Sequence, residues 1–164
     1  MEPFATDTST ADLCRVRPDD LTEIARSLFD TMLGLPFEAE CPTGCSDSGT
    51  QLEAHISVKG CWKAEILVRA PEELARQIAC VMFKLSDGEL TDDDVRDALG
   101  EVANVIGGSV KGIVDCDCDL TLPRVDVAST GQKPCSLFRT FQCNGLPVCI
   151  AVIEQAVACN CSDE

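Results

Sequence analysis

The stretch "DALGEVANVIGGSVKGIV", Asp97 to Val114, reads as one long helix with two unlike sides. At 100° per residue, Val95, Ala98, Leu99, Val102, Val105, Ile106, Val110 and Ile113 gather on one side, the expected core contact. Asp97, Glu101, Asn104, Gly108 and Lys111 fall on the other within an arc of about 80°. Thr91 followed by Asp94 has the spacing of a capping box and marks the start. A polar side is ordinarily just where a helix meets water. Asn and paired glycines are poor residues for that purpose, each costing about 0.5–1 kcal/mol against Ala, Lys or Glu. Gly108 beside Asn104 leaves bare backbone over which a partner can approach closely.

Working outward, Pro18 with Asp19, Asp20 and Glu23 opens an earlier helix. Its apolar stripe is Leu21, Ile24, Ala25, Leu28, Phe29, Met32 and Leu33, and Gly34 ends it. "QLEAHISVKG" then alternates, with Leu52, Ala54, Ile56 and Val58 on one face and Glu53, His55, Ser57 and Lys59 on the other. Trp62, Ala64, Ile66 and Val68 alternate again beyond Gly60, which predicts a hairpin with one wet face. Pro71, Glu72 and Glu73 open a further helix with Leu74, Ile78, Val81, Met82 and Leu85 inward. After the long helix, "DCDCDLTL" places Cys116, Cys118, Leu120 and Leu122 on one face of a strand, with Pro123 at its end or edge. "LFRTFQC" and "VCIAVIEQ" flank Asn144-Gly145, a strong hairpin dipeptide. The order predicts an α/β (α+β) domain, a largely antiparallel sheet with helices packed on a face. Residues 1–17 read as a lead-in, 18–155 as the domain and 156–164 as a tail.

The chain has 164 residues, 45% of them hydrophobic and 25% charged, which is the balance of a globular domain. Its formal charge of −15 argues against nucleic acid and anionic membranes as partners. "MEPFATDTSTADLC" lacks the basic start and apolar core of a signal peptide, and "VCIAVI" is too short to span a bilayer, so a cytoplasmic location is expected.

Twelve cysteines are then unusual. Cys116 and Cys118 read as small core residues, as do Cys80, Cys143 and Cys149. "CPTGC" (Cys41, Cys45) has a metal-ligand spacing, and "CNC" (Cys159, Cys161) has no packing explanation. Packing is favoured over a metal site, and no metal of its own is expected. His55, the only histidine, lies among the wet-face residues, and a histidine-dependent triad has no second candidate.

The motif Asp97-x3-Glu101-x2-Asn104, with Pro123 after eighteen intervening residues, resembles that of the CheX/CheC-type chemotaxis phosphatases. In that family a Ser or Asp, a Glu and an Asn are followed by a Pro some twenty residues on. "SVKGCWKAEILVRAPEELARQIACVMF" is similar to the family's glycine-turned hairpin leading into a helix, and the resemblance covers roughly residues 18 to 155. The eighteen-residue spacing is shorter than the CheC form, a departure that falls on the loop before Pro123. The earlier helix carries Glu23 with Arg26 where a two-site relative has a second Glu-Asn pair, so the chain looks closest to CheX.

The resemblance implies a CheC-like fold with pseudo-duplicated halves and hydrolysis of the aspartyl-phosphate of a CheY-like response regulator. Mg²⁺ is then expected in the regulator's own phosphorylation site. Asn104 would orient the attacking water and Glu101 would meet the regulator's lysine. Asp97 and Gly108 would join Glu101 in partner contact, and the chain would be a homodimer. A regulator-binding scaffold without catalysis is the first alternative, which the presence of both Glu101 and Asn104 argues against. A cysteine-based metal or redox module is the other.

Overall fold

The computed structural model describes residues 3–6, 15–42 and 49–155 of the chain. Strand β1 (Phe4–Thr6) is followed by helix α1 (Pro18–Arg26), which continues as wider π-type turns over Ser27–Met32. Then come β2 (Phe37–Glu38), β3 (Gln51–Gly60), β4 (Ala64–Pro71), α2 (Glu72–Phe83) and α3 (Asp92–Val114). The last strands are β5 (Cys118–Leu120), β6 (Arg124–Val127), β7 (Lys133–Cys135), β8 (Leu137–Cys143) and β9 (Leu146–Glu154).

Two hairpins build the sheet. β3 pairs with β4 from Gln51 opposite Pro71 to Val58 opposite Ala64. β8 and β9 meet through Asn144-Gly145, both at positive φ (48° and 80°), the conformation of a type I′ turn. The hairpins join where β4 runs antiparallel to β9, giving the order β2-β8-β9-β4-β3, with β5 and β6 both paired to the outer side of β3. Every pairing in this seven-stranded sheet is antiparallel, as the alternation predicts.

The main core lies between one sheet face and the helices. Ile56, Ile66, Val68, Ile150 and Val152 face Leu21, Leu28, Leu74, Ile78, Leu99, Val102 and Ile106. β4 and β9 are central and also covered behind, which is why β9 is a nearly continuous apolar run and Leu67 of the alternating β4 is buried on the face expected to be wet. A smaller cluster of Phe4, Leu67, Cys135, Cys149 and Ala151 fills that rear face, under the parallel pair β1–β7. The lead-in thus contributes to the fold through Phe4 behind the sheet and Val16 in the main core.

Four side chains expected inward are exposed instead. The wider turns after Arg26 break the 3.6-residue period, and Met32 swings out to 63% exposure. Val81 and Ile113 sit in the last turns of α2 and α3 and are 40% and 41% exposed. Leu122 is 91% exposed, because β5 and β6 meet β3 in registers one residue apart. That offset is a β-bulge, held by paired backbone and side-chain bonds between Thr121 and Ser57, with Pro123 where no ladder donor is needed.

The face of β3 expected to be wet is closed over Glu53 and His55, while Lys59 at the strand end is exposed as expected. Glu53 is 1% exposed. Arg69 directly opposite donates to it at 2.6 and 2.9 Å, Lys133 reaches it from β7, and His55 Nε2 lies 3.0 Å away. His55 Nδ1 faces Glu65 at 3.0 Å, so both ring nitrogens meet carboxylates, an arrangement that suits the doubly protonated ring. The β1–β7 pair covers this face, with Arg69 stacked over Phe4 at 5.2 Å from the ring centroid.

Burial alone would raise the Glu53 carboxyl, but hydrogen bonds from His55, Lys133 and Arg69 outweigh it and hold the group at about 2. The hydrogen bond to Glu53 raises His55 above its ordinary 6.5, against burial and with help from Glu65. Glu53 therefore contributes stability that is present above its ordinary 4.5 and is lost as pH falls towards about 2. His55 contributes stability that is present below 6.5 and is lost as pH rises through its raised pKa. Glu53→Gln should cost about 3 kcal/mol in denaturant unfolding, since Arg69, Lys133 and the protonated His55 lose their buried counter-charge. It should also shrink the acid and alkaline limbs of the midpoint-against-pH curve. Limbs unchanged in the variant would contradict this account.

Candidate functional site

The polar stripe is positioned by how α3 starts, stops and seats. Thr91 Oγ1 accepts from the Asp94 amide at 3.2 Å while Asp94 accepts from the Thr91 amide at 2.8 Å, a reciprocal cap. That bond to the Thr91 amide lowers the Asp94 carboxyl below its ordinary value. Asp92, Asp93 and Asp94 all lie in the first turn, favourable against the helix dipole. The helix ends where Asp115 turns left-handed (φ 49°) and its amide bonds back to the Lys111 carbonyl.

Seating depends on small residues. A Cβ on Gly107 would stand 3.3 Å from two carbons of Ile56, and one on Gly100 would stand 3.5 Å from Pro123 and 3.6 Å from Val125. Ala103 between them is fully buried. This row of bare or nearly bare backbone lets α3 lie close on β3 and the β5–β6 edge. The paired glycines therefore have separate duties, since Gly107 faces the sheet and Gly108 faces open space.

With that row against the sheet, the rest of the stripe has one direction left. Asn104 lies about 40° round the helix from Gly100 and Glu101 about 100°. Asp97, Glu101, Asn104 and Gly108 are all exposed, and Lys111 is half-buried. Among the described residues, no hydrogen bond or ion pair engages the side chains of Asp97, Glu101 or Asn104. Both carboxylates and the carboxamide thus stay available to an outside molecule. Pro123 packs at Gly100, beside the stripe, and the exposed Leu122 is its neighbour on the bulge. Alternation had placed Leu122 inward, so this apolar side chain near the stripe was missed. The only signal for it was Pro123.

α1 offers no second stripe of this kind, because its Arg26 lies over the Phe37 ring, 5.3 Å from the centroid. Of the cysteines, Cys143 and Cys149 are buried as expected, whereas Cys80 is half-exposed. Cys116 is also half-exposed in the turn after α3 and packs at the margin of the core, whereas Cys118 of that pair is fully within it. The Sγ atoms of Cys61, Cys116 and Cys118 all lie within 4.8 Å of one another. Cys61 was not singled out, being far from the others in sequence. The pairs Cys41/Cys45 and Cys159/Cys161 depend on Cys45, Cys159 and Cys161, which lie outside the described residues. No helix among the described residues is long and apolar enough to cross a membrane.

A family model described as "Chemotaxis phosphatase CheX" matches residues 52–136. A search of curated proteins finds no match. Among solved structures, the chemotaxis protein CheX from Vibrio vulnificus is similar at a TM-score of 0.66 and 20% identity, over 87% of this chain and 99% of that one. CheX from Desulfovibrio desulfuricans is similar at 0.64 and 16%, over 84% and 97%. A CheX–CheY–BeF3–Mg²⁺ complex from Borrelia burgdorferi is similar at 0.62 and 17%, over 84% and 97%. At these identities the neighbours establish a shared fold.

The seating predicts opposite outcomes for adjacent glycines. Gly107→Val should destabilise by roughly 1–3 kcal/mol, because the added atoms meet Ile56 in a packed core. Gly108→Ala should stabilise by about 0.5–1 kcal/mol, since nothing obstructs it. Thermal and denaturant unfolding of the two variants check both signs.

Proposed function

This chain belongs to the CheX family of chemotaxis phosphatases, and on that premise we propose that Asn104 and Glu101 carry out hydrolysis of the aspartyl-phosphate of a CheY-like response regulator. The observation that carries the residue assignment is the pair itself. Both side chains are exposed on one stripe of a rigidly seated helix and neither is hydrogen-bonded within the described residues.

The reaction needs a water in line with the phosphorus. The new P–O bond forms to that water, the bond to the aspartyl oxygen breaks, and the products are inorganic phosphate and a free carboxylate. The charge on the phosphoryl oxygens is met by the regulator's own Mg²⁺ and lysine, so no metal is asked of this chain. A carboxamide suits what remains, because it accepts one hydrogen bond and donates another without becoming charged. Asn104 holds the water by its Oδ1 and orients it through its Nδ2. An amide performs a comparable positioning in certain GTPases. Helix geometry sets Glu101 about 60° round the stripe from Asn104, on the preceding turn. There it can pair with the regulator's lysine and fix the approach of the two molecules. Gly108 leaves the backbone bare where the partner comes nearest, and Asp97 borders the same contact. The Borrelia burgdorferi complex, in which a CheX of this fold is bound to CheY with BeF3 and Mg²⁺, supports a partner of that class.

The family resemblance also leads us to propose a homodimer in which the stripe stays exposed. Sedimentation analysis giving a monomer at all working concentrations would remove that element and leave the catalytic assignment standing.

Asn104→Ala should slow dephosphorylation of the cognate regulator on the order of 10²-fold, the scale of one positioned transition-state contact. Its unfolding curve should match the wild type. Glu101→Ala should act mainly on docking, losing a charge-assisted contact worth roughly 1.5–3 kcal/mol. Following the decay of phosphorylated regulator over a range of concentrations separates the two effects. Wild-type rates for both variants would overturn the assignment.

A further inference from the structure

The turn between β3 and β4 and the turn between α3 and β5 meet through their backbones. Gly60 has φ 140°, and a Cβ there would stand 2.3 Å from the Asp117 carbonyl oxygen and 2.9 Å from the Cys118 Cα. Only glycine permits that approach. The Cys61 amide then donates to the Asp117 carbonyl at 3.1 Å, and Gly60 pairs with Cys118 across the strands. Three thiols are brought to one place by this contact. Cys116 and Cys118 Sγ are 3.0 Å apart, Cys61 and Cys118 Sγ are 3.9 Å apart, and all three lie within 4.8 Å.

We propose that Cys61, Cys116 and Cys118 form a thiolate site for one soft divalent cation of the zinc class, at the C-terminal end of the helix that carries Glu101 and Asn104. Sulfurs bound tetrahedrally at about 2.3 Å from zinc stand about 3.8 Å from one another. Cys61 and Cys118 already have that separation, and Cys116 needs a rotation or shift of under about 1 Å from Cys118. The cluster is graded in depth, with Cys118 buried, Cys116 half-exposed and Cys61 exposed, so a cation enters from the Cys61 side. Each thiol that coordinates releases its proton to solvent. Three sulfurs leave the fourth corner of a tetrahedron for water or another donor.

The test uses the full chain, purified without oxygen, kept reduced and stripped with chelator. Zn²⁺ is added in competition with a chromogenic chelator, and Co²⁺ in parallel. The expected result is at least one equivalent bound per chain, with a thiolate-to-cobalt charge-transfer band and a higher thermal midpoint as the cation pins the two turns together. Losing an outer partner of a metal ligand costs roughly 10–100-fold in affinity. Cys61→Ser or Cys116→Ser should therefore weaken binding by at least about 100-fold. Cys61 is exposed, so its variant should keep the wild-type unfolding curve without metal, and Cys80→Ser should bind as the wild type does. The Gln155 amide bonds to the Lys63 carbonyl, near Cys61, and Cys159 and Cys161 follow closely in sequence. Cys159→Ser/Cys161→Ser is therefore the remaining control and should retain the charge-transfer band. No stoichiometric uptake by the wild type would overturn the proposal. So would uptake unaffected by Cys61→Ser and Cys116→Ser, or uptake abolished by the tail variant alone.

Discussion

The separation between α3 and the sheet is the constraint from which the site follows. Gly107 against Ile56 and Gly100 against Pro123, with Ala103 between them, leave no room for a large side chain on that line of the helix. Close seating does more than fill the core. It fixes the rotation of α3 about its own axis, because turning one way would drive Val110 or Leu99 into the strands and turning the other way would bury Asn104 and the carboxylates. Once the rotation is fixed, Asn104 and Glu101 are aimed outward without bonds of their own to hold them. On the proposed assignment that matters, because for a group that positions water an error of about 1 Å in placement can cost 10²-fold in rate.

The same seating explains why much of the domain was readable from residue order. Helical periodicity reports which side of a segment is dry, and α3 is long enough for the report to be unambiguous over residues 95 to 110. Alternation likewise identified the first hairpin, and Asn144-Gly145 marked the turn of the second. The failures share a cause. Alternation tells which residues share a face and says nothing of what is laid across it. Glu53 and His55 were therefore grouped correctly but read as wet, while Phe4 and Lys133, distant in sequence, cover or pair with them. Leu122 failed differently, because a single inserted residue reverses every later side chain. The Cys61, Cys116 and Cys118 cluster required knowing that two turns touch, which no local pattern encodes.

A catalyst built on an exposed helix face differs from an enzyme with a cleft. On the proposed assignment, the stripe provides only part of a reaction centre, and water is excluded only when a partner covers it. Nothing then has to be desolvated in the free protein, so Glu101 and Asn104 can remain solvated at little cost to folding. The charges that stabilise a leaving phosphoryl group stay with the molecule that bears it. On the proposed assignment, this division of labour explains how a domain with one histidine can be a hydrolase, since the Asn104 carboxamide would aim a water without changing its own charge.

Electrostatics limits how such a partner is captured. With a formal charge of −15, this chain gains no long-range attraction to a phosphorylated and therefore negative site. Capture must depend on contacts made after collision, within a screening distance of about 8–10 Å. A carboxylate meeting a lysine is such a contact, and its sign is favourable only in the correct register. A docking step that repels at a distance and attracts in one register gives short-lived complexes with high selectivity. That suits a phosphatase that must release each regulator as soon as the phosphoryl group has gone.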